Sequence, residues 1–366
     1  GESSGSKTLH SRHLAEGAAG IGLSLALLLL IASLGFDRMV LRPLATLTQA
    51  VRRIGAGDHA VDLDSRRDDE IGELTRAFAD MARRVHAHSM HLERMVAERT
   101  SDLADANARM RETHRKLTDS IRYASLIQTA ILPDRLLRDH FRGQYFVLWR
   151  PRDVVGGDLY VYRADAQGCL FGVVDCAGHG VPGACMTMIA HAALEVALRD
   201  TPWSDPAGLL ARVDAIARGI LPGDDKSGRI ATSMDMGLVH VDLHAGTVAF
   251  AGARMGLFWS DGGDCQSLPG SRRGLNDRKP GSYETSRAAL RPGRTFYLAS
   301  DGLLDQSGGE QGFGFGQRRF ADWVAAHAAL PLAAQKERLA ETLDQYQGEH
   351  GQRDDITVLA FRFEDP

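Results

Sequence analysis

The run from Ala18 to Phe36 contains no charged side chain, and leucine dominates it. An apolar stretch of this length can cross the hydrocarbon core of a bilayer as a single helix. A secretory signal peptide has a shorter apolar core and a small-residue cleavage site, which this run lacks. The remaining alternative is a helix buried in a soluble core. We therefore predict a transmembrane helix over residues 14–36.

The charges on either side of this run predict its orientation. Lys7 and Arg12 precede it. The arginines that follow it closely are Arg38, Arg42, Arg52 and Arg53. Positive side chains concentrate on the cytoplasmic side of membrane helices, so the rest of the chain is expected in the cytoplasm, at the bacterial inner membrane. Residues 1–13 begin Gly/Ser-rich and look like a truncated edge, so a sensor domain and a first transmembrane helix are expected upstream.

Composition narrows the class of protein. The chain has 366 residues, 44% hydrophobic and 25% charged, which fits a globular protein of two or three modules. Its net charge is −4, and it has no basic stripe with interleaved aromatics, which argues against nucleic-acid binding. No pair of cysteines has metal-ligand spacing, so reduced, buried thiols are expected. The cysteines are Cys169, Cys176, Cys185 and Cys265.

Two helices joined by a polar connector are predicted directly after the membrane span. Apolar positions recur at steps of three and four in both helices, as in a coiled-coil seam. They are Leu44, Leu47, Val51 and Ile54, then Ile71, Leu74, Phe78, Met81, Val85 and His88, with Val61 and Leu63 alternating between. The pattern resembles a HAMP signalling module, with Arg42-Pro43 and Asp69-Glu70-Ile71-Gly72 at its signature positions. We place this module at residues 37–90.

The apolar seam continues far beyond the second helix. It runs through Leu92, Val96, Leu103, Ala106, Met110 and Leu117 to Ile121. Two consecutive steps of four, from His88 to Val96, form a stutter that locally unwinds a coiled coil. A helix from Ile71 to Leu132 would be about 90 Å long, and Pro133 would stop it. Because a monomer would expose this seam, we predict a parallel homodimer with a signalling coiled coil over residues 91–133.

Strand-like runs dominate the rest of the chain, residues 134–366. They are Tyr145–Trp149, Leu159–Tyr162, Leu170–Val174, Gly237–Leu243, Thr247–Ala251, Thr295–Ala299 and Ile356–Phe363. Helical stretches are expected at about 182–199, 206–220, 317–328 and 332–347. Strands in adjacent runs favour antiparallel sheets flanked by helices, and hence an α+β fold.

Four acidic motifs lie where predicted strands meet loops. They are Gly156-Gly157-Asp158, Asp175-Cys176-Ala177-Gly178-His179-Gly180, Ser300-Asp301-Gly302 and Asp354-Asp355-Ile356-Thr357. Carboxylates and loop carbonyls are the oxygen ligands that Mg²⁺ and Mn²⁺ prefer. A single such Asp is usually a turn residue. The whole series predicts a site that holds two metal ions and acts on phosphate esters.

Residues 144–364 resemble the PPM family of metal-dependent Ser/Thr protein phosphatases, in its bacterial SpoIIE-type branch, through these motifs. With the HAMP-like module upstream, the chain is similar to the SiaA-type membrane phosphatases of partner-switching pathways. The resemblance implies an αββα sandwich as the phosphatase domain, residues 134–366, with metals at one rim of the sheets. It also implies a phosphorylated cytosolic regulator of the anti-sigma-factor-antagonist type as substrate.

The resemblance further assigns residues to two Mn²⁺ or Mg²⁺ ions. Asp175 would bridge the ions, with the Cys176 carbonyl as an added ligand. Asp301 and Asp354 would complete the inner shells, and Asp158 would bind directly or through water. A metal-activated hydroxide would then attack phosphorus without a covalent enzyme intermediate.

Several assignments stay open at the sequence level. His179 is either the general acid for the leaving oxygen or a loop residue, and Asp355 is the alternative to Asp354 as a ligand. Asp153 is either an outer partner or an exposed turn residue. The Gly-rich stretch 308–316 is either a substrate flap or a flexible loop. Two arginines before the first motif either contact phosphate or are solvated, namely Arg150 and Arg152.

Three other functions compete with that of a phosphatase. Gly156–Tyr160 superficially resembles the diguanylate-cyclase loop, but Leu-Tyr stands where that family has Glu-Phe. A histidine kinase is excluded because the helix over residues 118–131 has no His and no Gly-rich ATP lid follows. The serious alternative is a pseudophosphatase, which binds a phosphoprotein without cleaving it.

Overall fold

The computed structural model describes residues 23–58, 66–141, 143–166, 168–221 and 232–364. The predicted edge 1–13, the first part of the predicted membrane span and the connector positions Val61 and Leu63 lie outside the described residues. The chain divides into two compact units, Gly1–Glu112 and Thr113–Pro366. Each unit is described by itself.

The first unit is helical in its described part. Residues 23–36 form α1, a π-helical stretch covers Asp37–Leu41, and α2 covers Arg42–Gly55. The helical run Leu23–Gly55 has a mean hydropathy of 1.9 over its most apolar window, none of which is buried. Gly180–Asp200 also meets the length and hydropathy requirements for a membrane span, but 44% of its window is buried, as in a core helix.

A single long helix, α3 (Glu70–Ile131), begins in the first unit and ends in the second. Asp69 caps its start, because its Oδ1 accepts a hydrogen bond from the Gly72 backbone N–H at 2.9 Å. The helix ends just before Pro133, as the sequence predicts. A short helix, α4 (Asp134–Phe141), follows.

Two five-stranded antiparallel sheets form the second unit. One has the order β2-β3-β4-β5-β8, the other β1-β12-β9-β6-β7, and β10 pairs with β11 separately. The strands are β1 (Tyr145–Arg150), β2 (Asp158–Ala164), β3 (Gly168–Cys176), β4 (Met234–Asp242), β5 (Thr247–Ala253), β6 (Leu257–Ser260), β7 (Gln266–Leu268), β8 (Ser286–Ala289), β9 (Thr295–Ala299), β10 (Ser307–Gly308), β11 (Phe313–Gly314) and β12 (Ile356–Arg362).

Helices cover the outer face of each sheet. The helices α5 (Gly180–Asp200) and α6 (Pro206–Ile220) pack on the β2 sheet. The helices α8 (Gly316–His327) and α9 (Leu332–Gln347) pack on the β1 sheet, and α7 (Asp301–Leu304) is a single turn. Alternation along β9 fills both sides of its sheet, since Phe296 and Leu298 join the core between the sheets while Tyr297 joins the core under α8 and α9. The predicted αββα sandwich is confirmed.

The central strands and all four long helices of this unit were predicted, whereas β6, β7 and β8 were missed. These strands have three or four residues each, and β7 is mostly exposed, so they carry little apolar alternation. The cysteines are free, but the prediction that all are buried is wrong for Cys185, which is exposed on α5.

Candidate active site

The first two acidic motifs lie side by side at the end of one sheet. Asp158 begins β2, Asp175 lies near the end of β3, and the two are directly opposed in antiparallel register. Directly opposed residues project from the same face of a sheet. The two carboxylates therefore point in the same direction.

The other two motifs reach the same place from the neighbouring sheet. Asp301 follows β9 and Asp354 precedes β12, which pairs with β9. The Asp301 backbone N–H donates to Asp175 Oδ2 at 3.2 Å, joining the motifs of the two sheets. A Cβ at Gly302 would lie 2.0 Å from the Asp355 carbonyl oxygen, so this approach requires glycine. We call the edge where Asp158, Asp175, Asp301 and Asp354 meet the carboxylate rim.

The two neighbouring acids before β12 have different environments. Asp355 is buried, and its carboxylate accepts hydrogen bonds from the backbone N–H groups of Arg152, at 2.7 Å, and of Gly157. Asp354 is partly exposed and its charge raises the pKa of Asp301, which is raised chiefly by burial. Asp355 thus fixes the loop that carries Asp158, and Asp354 is the member of the pair that faces the rim.

The Cys176 backbone lies against the first motif. Its N–H donates to the Gly157 carbonyl at 3.1 Å. A Cβ at Gly157 would lie 2.6 Å from the Cys176 carbonyl oxygen and 2.5 Å from that of Gly178, so the close packing of these loops requires glycine. The Cys176 side chain is buried, and burial raises the pKa of its thiol well above the ordinary value. Its thiol is thus an apolar filler, and its carbonyl lies against Gly157, the residue before Asp158.

Burial is the main cause of the raised pKa values at the rim, and charge repulsion adds to it. Burial raises the pKa of Asp158 well above its ordinary value, the hydroxyl groups of Thr357 and Ser300 lower it, and the charges of Asp355 and Asp301 raise it further. Burial likewise raises the pKa of Asp175, and Asp158 and Asp301 add to the effect. Asp158 Oδ2 is buried and has no hydrogen-bond partner. Buried polar atoms normally have a partner, so this oxygen is available to a ligand.

The donor set fits hard divalent cations in its chemistry, since it consists of carboxylate and carbonyl oxygens that repel one another without a counter-charge. In the part of the chain that the structure describes, no three His, Cys, Asp or Glu side chains form a ready metal-binding group.

His179 lies at the N-terminal end of α5, beside the rim. Its Nδ1 is 2.8 Å from Asp153 Oδ2, and both side chains are substantially exposed, at 43% and 50%. Burial raises the pKa of Asp355, and the nearby charge of His179 acts in the opposite direction. The pair with Asp153 fixes the orientation of the ring and leaves Nε2 as the ring nitrogen not used in it.

Asp235 is a rim residue that the sequence reasoning missed. It stands directly opposite Asp175 in the β3–β4 register, and it forms an ion pair with Arg254 at 3.5 Å. Burial raises the pKa of Asp235 to about 7. The predicted strand began at Gly237, three residues too late. The usable signal was the alternation of Asp235 with the apolar residues Met234 and Met236.

The structure also places the remaining candidates. Arg150 pairs with Asp344 at 2.7 Å, and the Arg152 guanidinium donates to the Arg353 carbonyl at 2.9 Å. The Gly-rich stretch forms the small β10–β11 pair. Phe315 at its end is buried, so the stretch is anchored rather than loose.

A buried amide links the end of α3 to the first motif. Gln128 Nε2 donates to the Gly156 carbonyl at 2.6 Å and lies 3.3 Å from Thr187 Oγ1. Gln128 Oε1 accepts from the Gly156 N–H at 3.1 Å. The last helical turn before the catalytic unit is thus bonded to the loop that positions Asp158.

Comparisons with known proteins match the two parts of the chain to two different families. The family described as Stage II sporulation protein E (SpoIIE) matches residues 165–364, and the HAMP domain family matches residues 38–87. The solved SiaA-PP2C domain of Pseudomonas aeruginosa is 53% identical, with a TM-score of 0.64, over 69% of this chain and 98% of that one.

Two further relatives are more distant. The PP2C phosphatase domain of SpoIIE from Bacillus subtilis, solved with a fragment of its regulatory domain, is 16% identical at a TM-score of 0.50, over 61% of this chain and 62% of that one, a likeness of fold. A curated sensor protein, the NarQ homolog of Haemophilus influenzae, is 29% identical over 125 residues, 33% of this chain. The chain spans 21% of the length of that relative.

The fold and the carboxylate rim are those of a PP2C-type phosphoprotein phosphatase. The chain belongs to the SpoIIE family, and it carries a HAMP domain ahead of its phosphatase domain.

Proposed function

We propose that this protein is a membrane-anchored, metal-dependent Ser/Thr phosphatase that is controlled through its HAMP domain. Its substrate would be a phosphorylated cytosolic regulator of the anti-sigma-factor-antagonist type in a partner-switching pathway. The observation that carries the activity is the convergence of Asp158, Asp175 and Asp301 from two sheets, with a buried, unpartnered carboxylate oxygen among them.

The proposed metal ligands are the four rim carboxylates and one backbone carbonyl. Asp158, Asp175, Asp301 and Asp354 would hold the metals together with the Cys176 carbonyl. Two Mn²⁺ or Mg²⁺ ions bound there supply an acidified water and neutralise charge on the phosphoryl oxygens. The protein itself contributes a loop before Asp158 that buried hydrogen bonds from Gln128 and Asp355 hold in place.

We propose His179 as the residue that serves the leaving group. Its ring is held through Nδ1 by Asp153, and its side chain is partly open to solvent. In this role Nε2 would donate a proton to the serine or threonine oxygen as the P–O bond breaks. The alternative role, a loop residue that starts α5, uses the same contact with Asp153.

Membrane anchoring is supported by α1. Its large apolar side chains are exposed in this chain, for example Leu27 at 58% and Leu30 at 56%. A folded protein does not leave so long an apolar surface in water. Expression with separation of membrane and soluble fractions tests it, and recovery of the full-length chain in the soluble fraction without detergent would contradict it.

Homodimer formation is supported by the coiled-coil seam. Exposed fractions along it reach 64% at Leu103 and Met110 and 58% at Leu117. The parallel arrangement predicts that identical seam positions meet across the dimer. Leu103→Cys, in a Cys185→Ser background, should therefore cross-link to itself, whereas Asp102→Cys, one residue off the seam, should cross-link less.

The substrate class rests on the SpoIIE membership and on the absence of any nucleotide-binding loop from the sequence. A phosphoproteome comparison of cells with the parent and with an inactive variant tests it. Phosphoserine or phosphothreonine on a small cytosolic regulator should accumulate in the variant. Accumulation of phosphotyrosine alone would contradict the proposal.

The activity itself is tested with the purified full chain in detergent. Hydrolysis of p-nitrophenyl phosphate and of a phosphoserine peptide should depend on Mn²⁺ or Mg²⁺ and stop in EDTA. Binding of the phosphopeptide without release of phosphate, at any metal concentration, would instead identify a pseudophosphatase.

A further inference from the structure

The rim residue Asp235 also belongs to a second charged group, which it forms with Arg254 and Asp277. Asp235 lies in β4, and Arg254 directly follows β5. The segment 271–277 is pinned to both strands, because Met234 and Leu275 exchange backbone hydrogen bonds of 3.0 and 2.7 Å and the Arg254 N–H donates to the Ser271 carbonyl at 2.9 Å. The position of Arg254 is therefore set by the ends of two core strands.

The backbone of Arg254 has an unfavourable conformation. Among the described residues, the non-glycine residues with positive φ are Arg254, at 54°, and Asn276, at 55°, and both belong to this group of loops. Asn adopts such a conformation readily, whereas a long side chain such as Arg does so at a cost. The backbone conformation alone would favour glycine at position 254. An arginine kept in a strained backbone indicates a role for its side chain.

Two carboxylates hold the guanidinium in place. Arg254 Nη1 lies 3.5 Å from Asp235 Oδ1, and Nη2 donates to Asp277 Oδ1. Asp277 is itself fixed, since its Oδ2 accepts from the Gly274 N–H at 3.1 Å. The Arg254 side chain remains 39% exposed. The guanidinium is thus oriented but accessible.

The group belongs to the same surface as the rim. Asp235 is directly opposite Asp175, and Asp175 is directly opposite Asp158, so the three acids form one row across β2, β3 and β4. The positive charge of Arg254 also reaches Asp301, where it counteracts the effects of burial and of neighbouring acids. Arg254 therefore lies at the Asp235 end of a strongly acidic site.

A phosphoryl group carries negative charge and must approach these carboxylates. Arginine is the side chain best suited to bind it, because its planar N–H groups match two phosphoryl oxygens at once. We propose that Arg254 binds the phosphoryl group of the substrate, with Asp235 and Asp277 as positioning residues that aim its guanidinium. This inference rests on the proposed phosphatase activity and names a further residue that touches the substrate.

The test uses the purified full chain in detergent and the variants Arg254→Gly and Arg254→Lys. Arg254→Gly relieves the strained φ but leaves Asp235 and Asp277 without their ion-pair partner, so the two effects oppose each other and its melting temperature should stay close to that of the parent. Its kcat/KM on a phosphoserine peptide should fall by about 100-fold or more, the scale for loss of a charged donor at a reacting centre. Arg254→Lys should recover part of this loss.

Two readouts separate phosphate binding from a structural role. Inhibition by inorganic phosphate should weaken by at least about tenfold in Arg254→Gly, while Mn²⁺ binding measured by calorimetry stays within about twofold of the parent. Added guanidinium ion, at millimolar concentration, should restore part of the activity of Arg254→Gly and none in the parent.

Arg150→Lys and Arg152→Lys test the two other arginines that could contact phosphate. Arg150 pairs with Asp344 and should be without effect. Unchanged phosphate inhibition in Arg254→Gly, or a loss of phosphate binding in Arg152→Lys alone, would overturn the proposal. A parent chain inactive with every metal would instead refute the phosphatase function, and the two failures are therefore distinguishable.

Discussion

Gln128 and Gly156 exchange two hydrogen bonds through the Gln128 side-chain amide, of 2.6 Å from Nε2 to the carbonyl and 3.1 Å from the backbone N–H to Oε1. Gln128 is fully buried, and it lies in the last turn of α3. Gly156 lies two residues before Asp158, in the loop that leads into β2. A shift of this helical turn must therefore either move the loop or break both bonds.

Gln128→Ala should lower the activity while leaving the fold intact. The substitution leaves the Gly156 N–H and carbonyl buried without partners, at a cost of about 1–3 kcal/mol each. We expect the loop to relax away from its position, so that higher Mn²⁺ is needed for half-maximal activity. Steady-state rates across a Mn²⁺ titration, with circular dichroism as a check of folding, measure this.

The matched control is Thr129→Ala. Thr129 is the next residue on the same turn, and its exposed side chain donates only to the Ser125 carbonyl of its own helix. This variant should keep the parent Mn²⁺ dependence. An equal effect of both substitutions would show that the helix end, rather than the amide contact, matters.

The sequence alone predicts the positions of residues that follow from a local pattern of apolar side chains. The rim carboxylates Asp158, Asp175 and Asp301 lie at the start, near the end and just after the end of an apolar strand, and the strand period predicts where such a run begins and stops. The long helix was predictable because its seam repeats over many turns. The start of α3 at an Asp-capped turn follows from the same local chemistry.

Residues that act through distant contacts were not predictable in this way. Gln128 is one polar residue in a helical turn, and only the fold shows that it meets a loop 28 positions away. Asp235 becomes a rim residue through its register with Asp175, which a sequence cannot specify before the strands are paired. The same reason left Asp354 and Asp355 unresolved, since only the structure shows that Asp355 is engaged by two backbone N–H groups.

Asp175→Asn should abolish turnover and leave a folded domain. A metal-bridging carboxylate is lost, but no apolar surface is exposed, and repulsion from Asp158 and Asp301 is relieved. In EDTA the melting temperature should therefore not fall. Saturating Mn²⁺ should stabilise the parent by mass action but stabilise the variant much less. Thermal scans with and without Mn²⁺ measure both effects.

Activity of Asp175→Asn within about tenfold of the parent, a barrier change of only about 1.4 kcal/mol, would show that the two-metal assignment is wrong. Asp165→Asn serves as the control, because Asp165 lies at the opposite end of the β2–β3 pair. It should retain full turnover and the full Mn²⁺-induced stabilisation.

A separate ion pair predicts the acid sensitivity of the phosphatase domain. Arg294 is largely buried, and its Nε and Nη2 donate to the two carboxylate oxygens of Asp261 at 2.5 and 2.7 Å. These bonds lower the pKa of Asp261 below its ordinary value. Asp261→Asn should cost about 1 kcal/mol at pH 7, at the low end for charged hydrogen bonds because Asp261 is half-exposed.

The sign of the pH dependence follows from the lowered pKa. The pair stabilises the fold fully above the unfolded pKa of Asp, about 3.9, and its contribution is lost as pH falls through the lower folded pKa. Urea unfolding at pH 7, 5 and 3.5 should show the difference between parent and Asp261→Asn shrinking only at the lowest pH. Asp264→Asn, an exposed acid nearby in the sequence, should show no difference at any pH.

Insertions into α3 should change activity with helical phase. The stutter from His88 to Val96 gives the predicted coiled coil a place where two windings are close in energy. We expect a change in the packing of the HAMP domain to rotate the helix, and the two bonds between Gln128 and Gly156 to pass that rotation on to the Gly156 loop. Inserting one to seven residues between Ala97 and Thr100 rotates the lower helix by about 100° per residue. Activity on a phosphopeptide should oscillate along the series, with the seven-residue insertion close to the parent.

The same series in a Gln128→Ala background should lose the oscillation. A flat response with Gln128 intact would show that the helix is only a passive dimer stalk.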